Sequence, residues 1–164
     1  MRRVEAFRIY KSRYASAAAT GEGAKKFGGR WNHEGVAVLY CSASLALAQL
    51  ETLVHLDGAM SPEGFEYLKL EFPASCVGKR ISVKELEDYG IDWRTYPSHA
   101  LLREIGTEWI ESGTSLAMQV PSAVVPSDSN FLLNPAHPDF QQVVIGASVP
   151  VEWDARLLKR LRAD

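Results

Sequence analysis

Polar and apolar residues alternate from Val4 to Tyr10, the period-two pattern of a half-buried strand. Phe7 and Ile9 fall on one side, Ala6, Arg8 and Tyr10 on the other. Residues 11–29 have no clean period and carry Gly21, Gly23, Gly28 and Gly29, so they read as loop with room for a short helical turn. Val36 to Cys41 is a continuous apolar run of strand length. Ser42 or Ser44 can cap a helix running to His55 or Leu56, with Gly58 just past its end. Phe65 to Phe72 predicts a strand, Ile81 to Val83 another, and Lys84 to Tyr89 a helical turn stopped at Gly90. After a loop over Asp92 to Pro97, Ser98 or His99 starts a helix carrying Leu101, Leu102, Ile105, Trp109 and Ile110, which Gly113 ends. Short strands are predicted at Ser115–Val120, Ala123–Val125, Phe131–Leu133 and Gln142–Ile145, punctuated by Pro121, Pro126, Pro135 and Pro138. Asp154 is placed to cap a last helix, Ala155–Leu161. Separate helices among many short strands point to an α+β fold rather than regular βαβ winding.

Composition narrows the class. A chain of 164 residues is long enough to bury its own core as one domain. Its net charge of -2 argues against non-specific nucleic-acid binding and leaves only the local basic patch of Lys25, Lys26 and Arg30. Cys41 and Cys76 make no disulfide framework and read as buried free thiols of a reducing compartment. Basic residues at the N-terminus are not followed by an apolar segment, so no signal peptide is expected. No apolar run reaches the length of a membrane span, and the chain reads as cytoplasmic.

The candidate chemistry gathers around Gly28-Gly29-Arg30-Trp31-Asn32, the run ending in Tyr40, and Glu51. Paired glycines let backbone approach a ligand closely, and a guanidinium can hold a phosphate through two parallel hydrogen bonds. A surface arginine in a hairpin turn gives the same pattern. Glu51 borders the apolar stripe of its helix, as a partly desolvated carboxylate or as an ordinary solvated charge. Tyr40 ends a strand, where its ring can stack on a flat cation or simply be half-buried. An anion clamp, an aromatic face and a carboxylate match the parts of NAD+. The usual phosphate motifs are absent: Gly21-Glu22-Gly23-Ala24-Lys25-Lys26 lacks a third glycine, and Gly23 to Gly28 is followed by Gly29-Arg30 instead of Lys-Ser/Thr. Ser122 has no nucleophile elbow around it. Asn130 and Asn134 flank an apolar triplet, where turn hydrogen bonds would account for them. His33, His55, His99 and His137 are scattered without metal-ligand spacing, so no metal is expected.

Together these residues resemble the RES domain of bacterial toxin–antitoxin systems. The resemblance begins at Phe7-Arg8-Ile9-Tyr10 and runs through Gly29-Arg30-Trp31-Asn32, Val38-Leu39-Tyr40-Cys41-Ser42 and Ala48-Gln49-Leu50-Glu51. It continues in Val120-Pro121-Ser122-Ala123-Val124-Val125-Pro126, Asn130-Phe131-Leu132-Leu133-Asn134-Pro135-Ala136-His137-Pro138 and Trp153-Asp154-Ala155-Arg156-Leu157. It implies one RES domain over residues 1–164. The implied fold is α+β, a split mixed β-sheet core like that of ADP-ribosyltransferase toxins, flanked by helices.

The implied activity is cleavage of NAD+ at its nicotinamide–ribose bond, which depletes NAD+ and arrests growth. NAD+ is then the substrate, with no further cofactor. The implied partner is an Xre-like antitoxin that blocks the active site, nucleic acid being reached only indirectly through it. By position Arg30, Glu51 and Ser122 match the residues that name the family, and Tyr40 its active-site tyrosine. NAD+ binding is expected from Arg8, Arg30, Trp31, Tyr40, Ser122 and Asn130, with Arg8 as a second phosphate clamp. Ser122 either touches the nicotinamide riboside or positions Glu51. Water, phosphate or a protein can be the acceptor, giving a glycohydrolase, a phosphorylase or a protein ADP-ribosyltransferase. A non-catalytic nucleotide-binding module is the rival of another class.

Overall fold

The N-terminal alternation becomes β1, Arg3–Lys11, which lies inside the sheet because both its edges find partners. β3 (Phe65–Pro73) runs antiparallel along its whole length, and β2 (Leu39–Ser42) meets it antiparallel at one register pair, Phe7 with Ser42. The computed structural model describes residues 1–56 and 63–159. Within them β4 (Val77–Arg80), β5 (Ala117–Pro121), β6 (Ser129–Leu133) and β7 (Val144–Ile145) extend the sheet in the order β4-β5-β6-β2-β1-β3-β7, and β8 (Val149–Pro150) also pairs β3. The β4–β5 pairing is parallel and the other pairings are antiparallel, so the sheet is mixed. The helices are α1 (Glu22–Phe27), α2 (Leu45–Leu53), α3 (Val83–Asp88), α4 (Ala100–Ser112) and α5 (Ala155–Lys159). No helix among the described residues is long and apolar enough to cross a membrane.

The lone Phe7–Ser42 pair splits the sheet between β1 and β2. A splayed seam leaves strand carbonyls without ladder partners, which is costly unless other donors reach them. Arg8 supplies one: its Nη1 donates to the Tyr40 carbonyl of β2 at 3.0 Å, while its Nε donates to the Ala18 carbonyl in the loop after β1 at 2.6 Å. Burial pulls this guanidinium below its ordinary value. Arg8, expected as a second phosphate clamp, thus spends Nε and Nη1 within the fold and ties β1 to β2 across the seam.

Each face of the sheet carries its own core. Phe131, Leu133 and Ala117 join Leu39, Leu70 and Phe72, whereas Leu132, Met118 and Val120 join Leu86, Leu102, Trp93 and Trp109. Neighbours along β5 and β6 divide between the clusters because successive strand side chains point to opposite faces. α4 closes the second face: Leu102 is fully buried, worth roughly 1.5–3 kcal/mol. His99 Nδ1 accepts from the Leu101 amide at its start, and Gly113 in the left-handed region ends it.

Several expectations change in three dimensions. Ala123–Val125 is a turn, since the Ser122 hydroxyl captures the amides of Val124 and Val125 and Asp128 N–H bonds the Val125 carbonyl. The strand expected at Ile81–Val83 lies earlier, at Val77–Arg80, with Ile81 buried in the second core. β4 hides in the sequence because Val77 is its one buried side chain. Val36–Val38 leads into β2 without joining it, Gln142 closes a 3-10 segment (Pro138–Gln142), and β8 had no signal in its two exposed residues. Residues 11–29 hold a 3-10 segment, Ser12–Ala17, as well as α1. Gly58 and the end of the last predicted helix lie outside the described residues.

Candidate active site

The site forms where β5 ends, β6 begins and α2 runs past. Asn130 sits opposite Ser42, the last residue of β2, and the chain enters α2 directly after it. Ser44 Oγ accepts from the Leu47 amide at 3.1 Å and so fixes where α2 starts. Glu51 then falls two turns along, facing the β5–β6 turn.

Three side chains meet there. Ser122 donates its hydroxyl hydrogen to Glu51 Oε1 at 2.8 Å, and Asn130 donates from Nδ2 to the same oxygen at 2.6 Å. The direction of the first bond is fixed, because Ser122 Oγ already accepts from the Val124 and Val125 amides at 3.1 and 2.9 Å. Ser122 is 0% exposed, so of its two expected roles the geometry gives positioning of Glu51. Both donors bind one carboxylate oxygen, and Oε2 is left as the oxygen that can meet a ligand.

Arg30 lies within electrostatic reach of this carboxylate. Its Nη1 donates to the carbonyls of Trp93 and Thr95 at 2.9 and 3.0 Å. Burial pulls its guanidinium below its ordinary value, opposed first by the Glu51 charge and then by Tyr40, Asp92 and Tyr96. The loop that presents Arg30 hangs on Tyr40 and Asn32. Tyr40 donates its hydroxyl to Asn32 Oδ1 at 2.6 Å and accepts from the Trp31 amide at 3.0 Å. Burial pushes the Tyr40 hydroxyl well above its ordinary 10.0, keeping it a neutral donor. Asn32, wholly buried, spends its amide group on the carbonyls of Ala24, His33 and Val36. Gly29 is required by this packing: a Cβ there would lie 2.7 Å from the Tyr40 hydroxyl oxygen and 2.8 Å from Asn32 Oδ1.

The structure thus brings Glu51, Ser122, Asn130 and Arg30 together and puts Tyr40 behind the Arg30 loop. It removes Trp31 from the expected ligand-binding set: that indole is 2% exposed, in the second core, because α4 presses Gly106 against its backbone. Sequence reasoning missed Asn32 and the Trp93–Thr95 carbonyls. An asparagine after glycines looks like any turn residue, and backbone acceptors carry no side-chain signal. Among the described residues, no group of three or more His, Cys, Asp or Glu side chains is placed to hold a metal ion.

The family model of the RES domain matches residues 5–154. A protein of Yersinia enterocolitica (serotype O:8 / biotype 1B) named Toxin Res is 43% identical over 135 residues, covering 82% of this chain and 86% of its own. A Sphingobium sp. (strain YBL2) protein named Prs ADP-ribosylating toxin is 33% identical over 147 residues, 90% of this chain and 91% of its own. A chain in the crystal structure of the M. tuberculosis MbcT–MbcA toxin–antitoxin complex has the same fold, with a TM-score of 0.74 at 18% identity, over 99% of this chain and 91% of that one.

Proposed function

This chain belongs to the RES domain family, and from that premise we propose that it is the toxin of a toxin–antitoxin pair and cleaves NAD+ between nicotinamide and ribose. The observation that carries the reading is the Glu51 carboxylate, held at one oxygen by Ser122 and Asn130 within electrostatic reach of the Arg30 guanidinium.

The chemistry follows from where charge moves. The bond between the ribose anomeric carbon and the cationic ring nitrogen breaks, its electron pair leaves with nicotinamide as a neutral molecule, and positive charge develops at the anomeric carbon. A carboxylate already fixed in place stabilises that charge without reorganising during the reaction. Arg30 clamps the pyrophosphate with the donors not given to Trp93 and Thr95, and it stays charged at any working pH. Tyr40 holds the Arg30 loop through its hydroxyl and offers its half-buried ring to the nicotinamide. Water is the simplest acceptor, giving nicotinamide and ADP-ribose. The name of the Sphingobium relative favours a second reading, transfer of ADP-ribose to a protein, through the same departure of nicotinamide. The toxin–antitoxin complex that shares the fold favours an antitoxin as partner, and we assign to it an Xre-like protein that covers this site.

The test is nicotinamide release from NAD+ by the purified chain, with and without phosphate, beside Glu51→Gln. Wild-type release, with a loss on the order of 10²-fold or more in a folded Glu51→Gln, is the expected result. A rate that rises with phosphate names phosphate as acceptor. Equal rates in the two proteins would remove Glu51 from the chemistry. No release, with labelled ADP-ribose appearing on lysate proteins, would favour the transferase.

A further inference from the structure

Asn130 has a second end that holding Glu51 does not use. Its Nδ2 lies 2.6 Å from Glu51 Oε1, and only the amide nitrogen can donate to a carboxylate, so the orientation of the side-chain amide is fixed by its partner. The other end, Oδ1, is buried and has no hydrogen-bond partner among the described residues. A buried carbonyl oxygen without a donor is unfavourable, and native structures keep such atoms rarely. The ladder cannot satisfy it, because β6 pairs β5 and β2 on its two sides through backbone groups. The orphaned acceptor is held one amide width from the nitrogen that binds Glu51. On Glu51 itself, Oε2 is the carboxylate oxygen that neither Ser122 nor Asn130 occupies. Two acceptors on neighbouring side chains suit a ligand with two neighbouring donors. A ribose offers them as its vicinal hydroxyls.

We propose that Asn130 reads the sugar of the substrate: Oδ1 accepts a hydrogen bond from one hydroxyl of the nicotinamide ribose while Nδ2 holds Glu51 for the other. This rests on the NAD+ reading and adds to it the residue that selects ribose over deoxyribose. Asn130 then does two things at once, and a change at this position affects both the placement of Glu51 and the choice of sugar. A site built to bond a hydroxyl rejects a ligand lacking it, because its own buried polar atom is left unpaired.

Crossing the variant with the substrate separates these effects. Nicotinamide release is measured for wild type and Asn130→Ala on NAD+ and on its 2′-deoxy and 3′-deoxy forms, altered on the nicotinamide ribose. Wild type should lose on the order of ten-fold or more in kcat/KM on the deoxy forms. In Asn130→Ala turnover on NAD+ falls, and for one of the two forms the deoxy penalty shrinks toward unity. Asn130→Ser carries the same readout if the alanine variant does not fold. Deoxy penalties that are absent in wild type, or unchanged in a folded variant, overturn the proposal while NAD+ cleavage stands. A wild type that does not cleave NAD+ overturns the underlying reading, and this inference with it.

Discussion

Replacing Ser122 by alanine tests whether a residue out of reach of solvent can control the reaction. The hydroxyl is fully buried and makes three hydrogen bonds, one to Glu51 Oε1 and two from the Val124 and Val125 amides. The first is charge-assisted and contributes about 1.5–3 kcal/mol, and each amide bond about 0.5–1.5 kcal/mol. Val124 and Val125 are part-exposed, so water recovers some of the amide loss. The expected destabilisation of Ser122→Ala is therefore about 2–4 kcal/mol, read as a shift of the urea midpoint at unchanged slope. Glu51 keeps only Asn130 as a donor, and we expect turnover to fall about 10- to 100-fold with KM little changed. A double-mutant cycle on stability with Glu51→Ala isolates the pair, with an expected coupling of about 1.5–3 kcal/mol. Coupling indistinguishable from zero, together with wild-type turnover, would refute the argument that Ser122 acts through Glu51.

Gly106→Ala puts a Cβ 1.8 Å from the Trp31 carbonyl oxygen, so α4 must move off the Arg30 loop; we expect a loss of about 3 kcal/mol or more, seen as a lowered melting temperature. Tyr40→Phe strips a hydrogen-bond partner from the Trp31 amide and from buried Asn32 Oδ1. If the hydroxyl matters by holding the Arg30 loop, KM for NAD+ rises several-fold; an unchanged KM would leave Tyr40 with its ring alone. Burial pushes the Cys41 thiol up to about 12 from an ordinary 9.0. The unfolded chain ionises Cys41 from about pH 9 upward while the folded chain keeps the proton, so this group makes stability fall as pH rises from 9 toward 12 and has no effect below 9. Urea titrations of wild type and Cys41→Ala across that range should converge toward high pH; parallel curves would count against the buried thiol.

The fold was legible wherever one face of an element is buried and the other is not. β1 and β3 alternate, Ser44 and His99 stand as helix caps, and Gly113 stops α4 as its position suggests. Elements with little side-chain burial were not legible. β4 buries one residue, β7 and β8 are exposed pairs, and their pairing comes from backbone groups that every residue has. Ala123–Val125 misled for the opposite reason: strand-forming residues were bent by a local hydroxyl that captures their amides.

The sequence by itself determined the α+β class, the family, and the residue types from which the site is made. Which of those residues share a site was a tertiary decision. Glu51 lies 71 positions from Ser122 and 79 from Asn130, and no local pattern relates them. The split sheet brings the end of β5, the start of β6 and α2 to one place. The same geometry moved Trp31 into the core and turned Arg8 into the brace of the seam, because burial and hydrogen-bond satisfaction are set by what packs around a side chain.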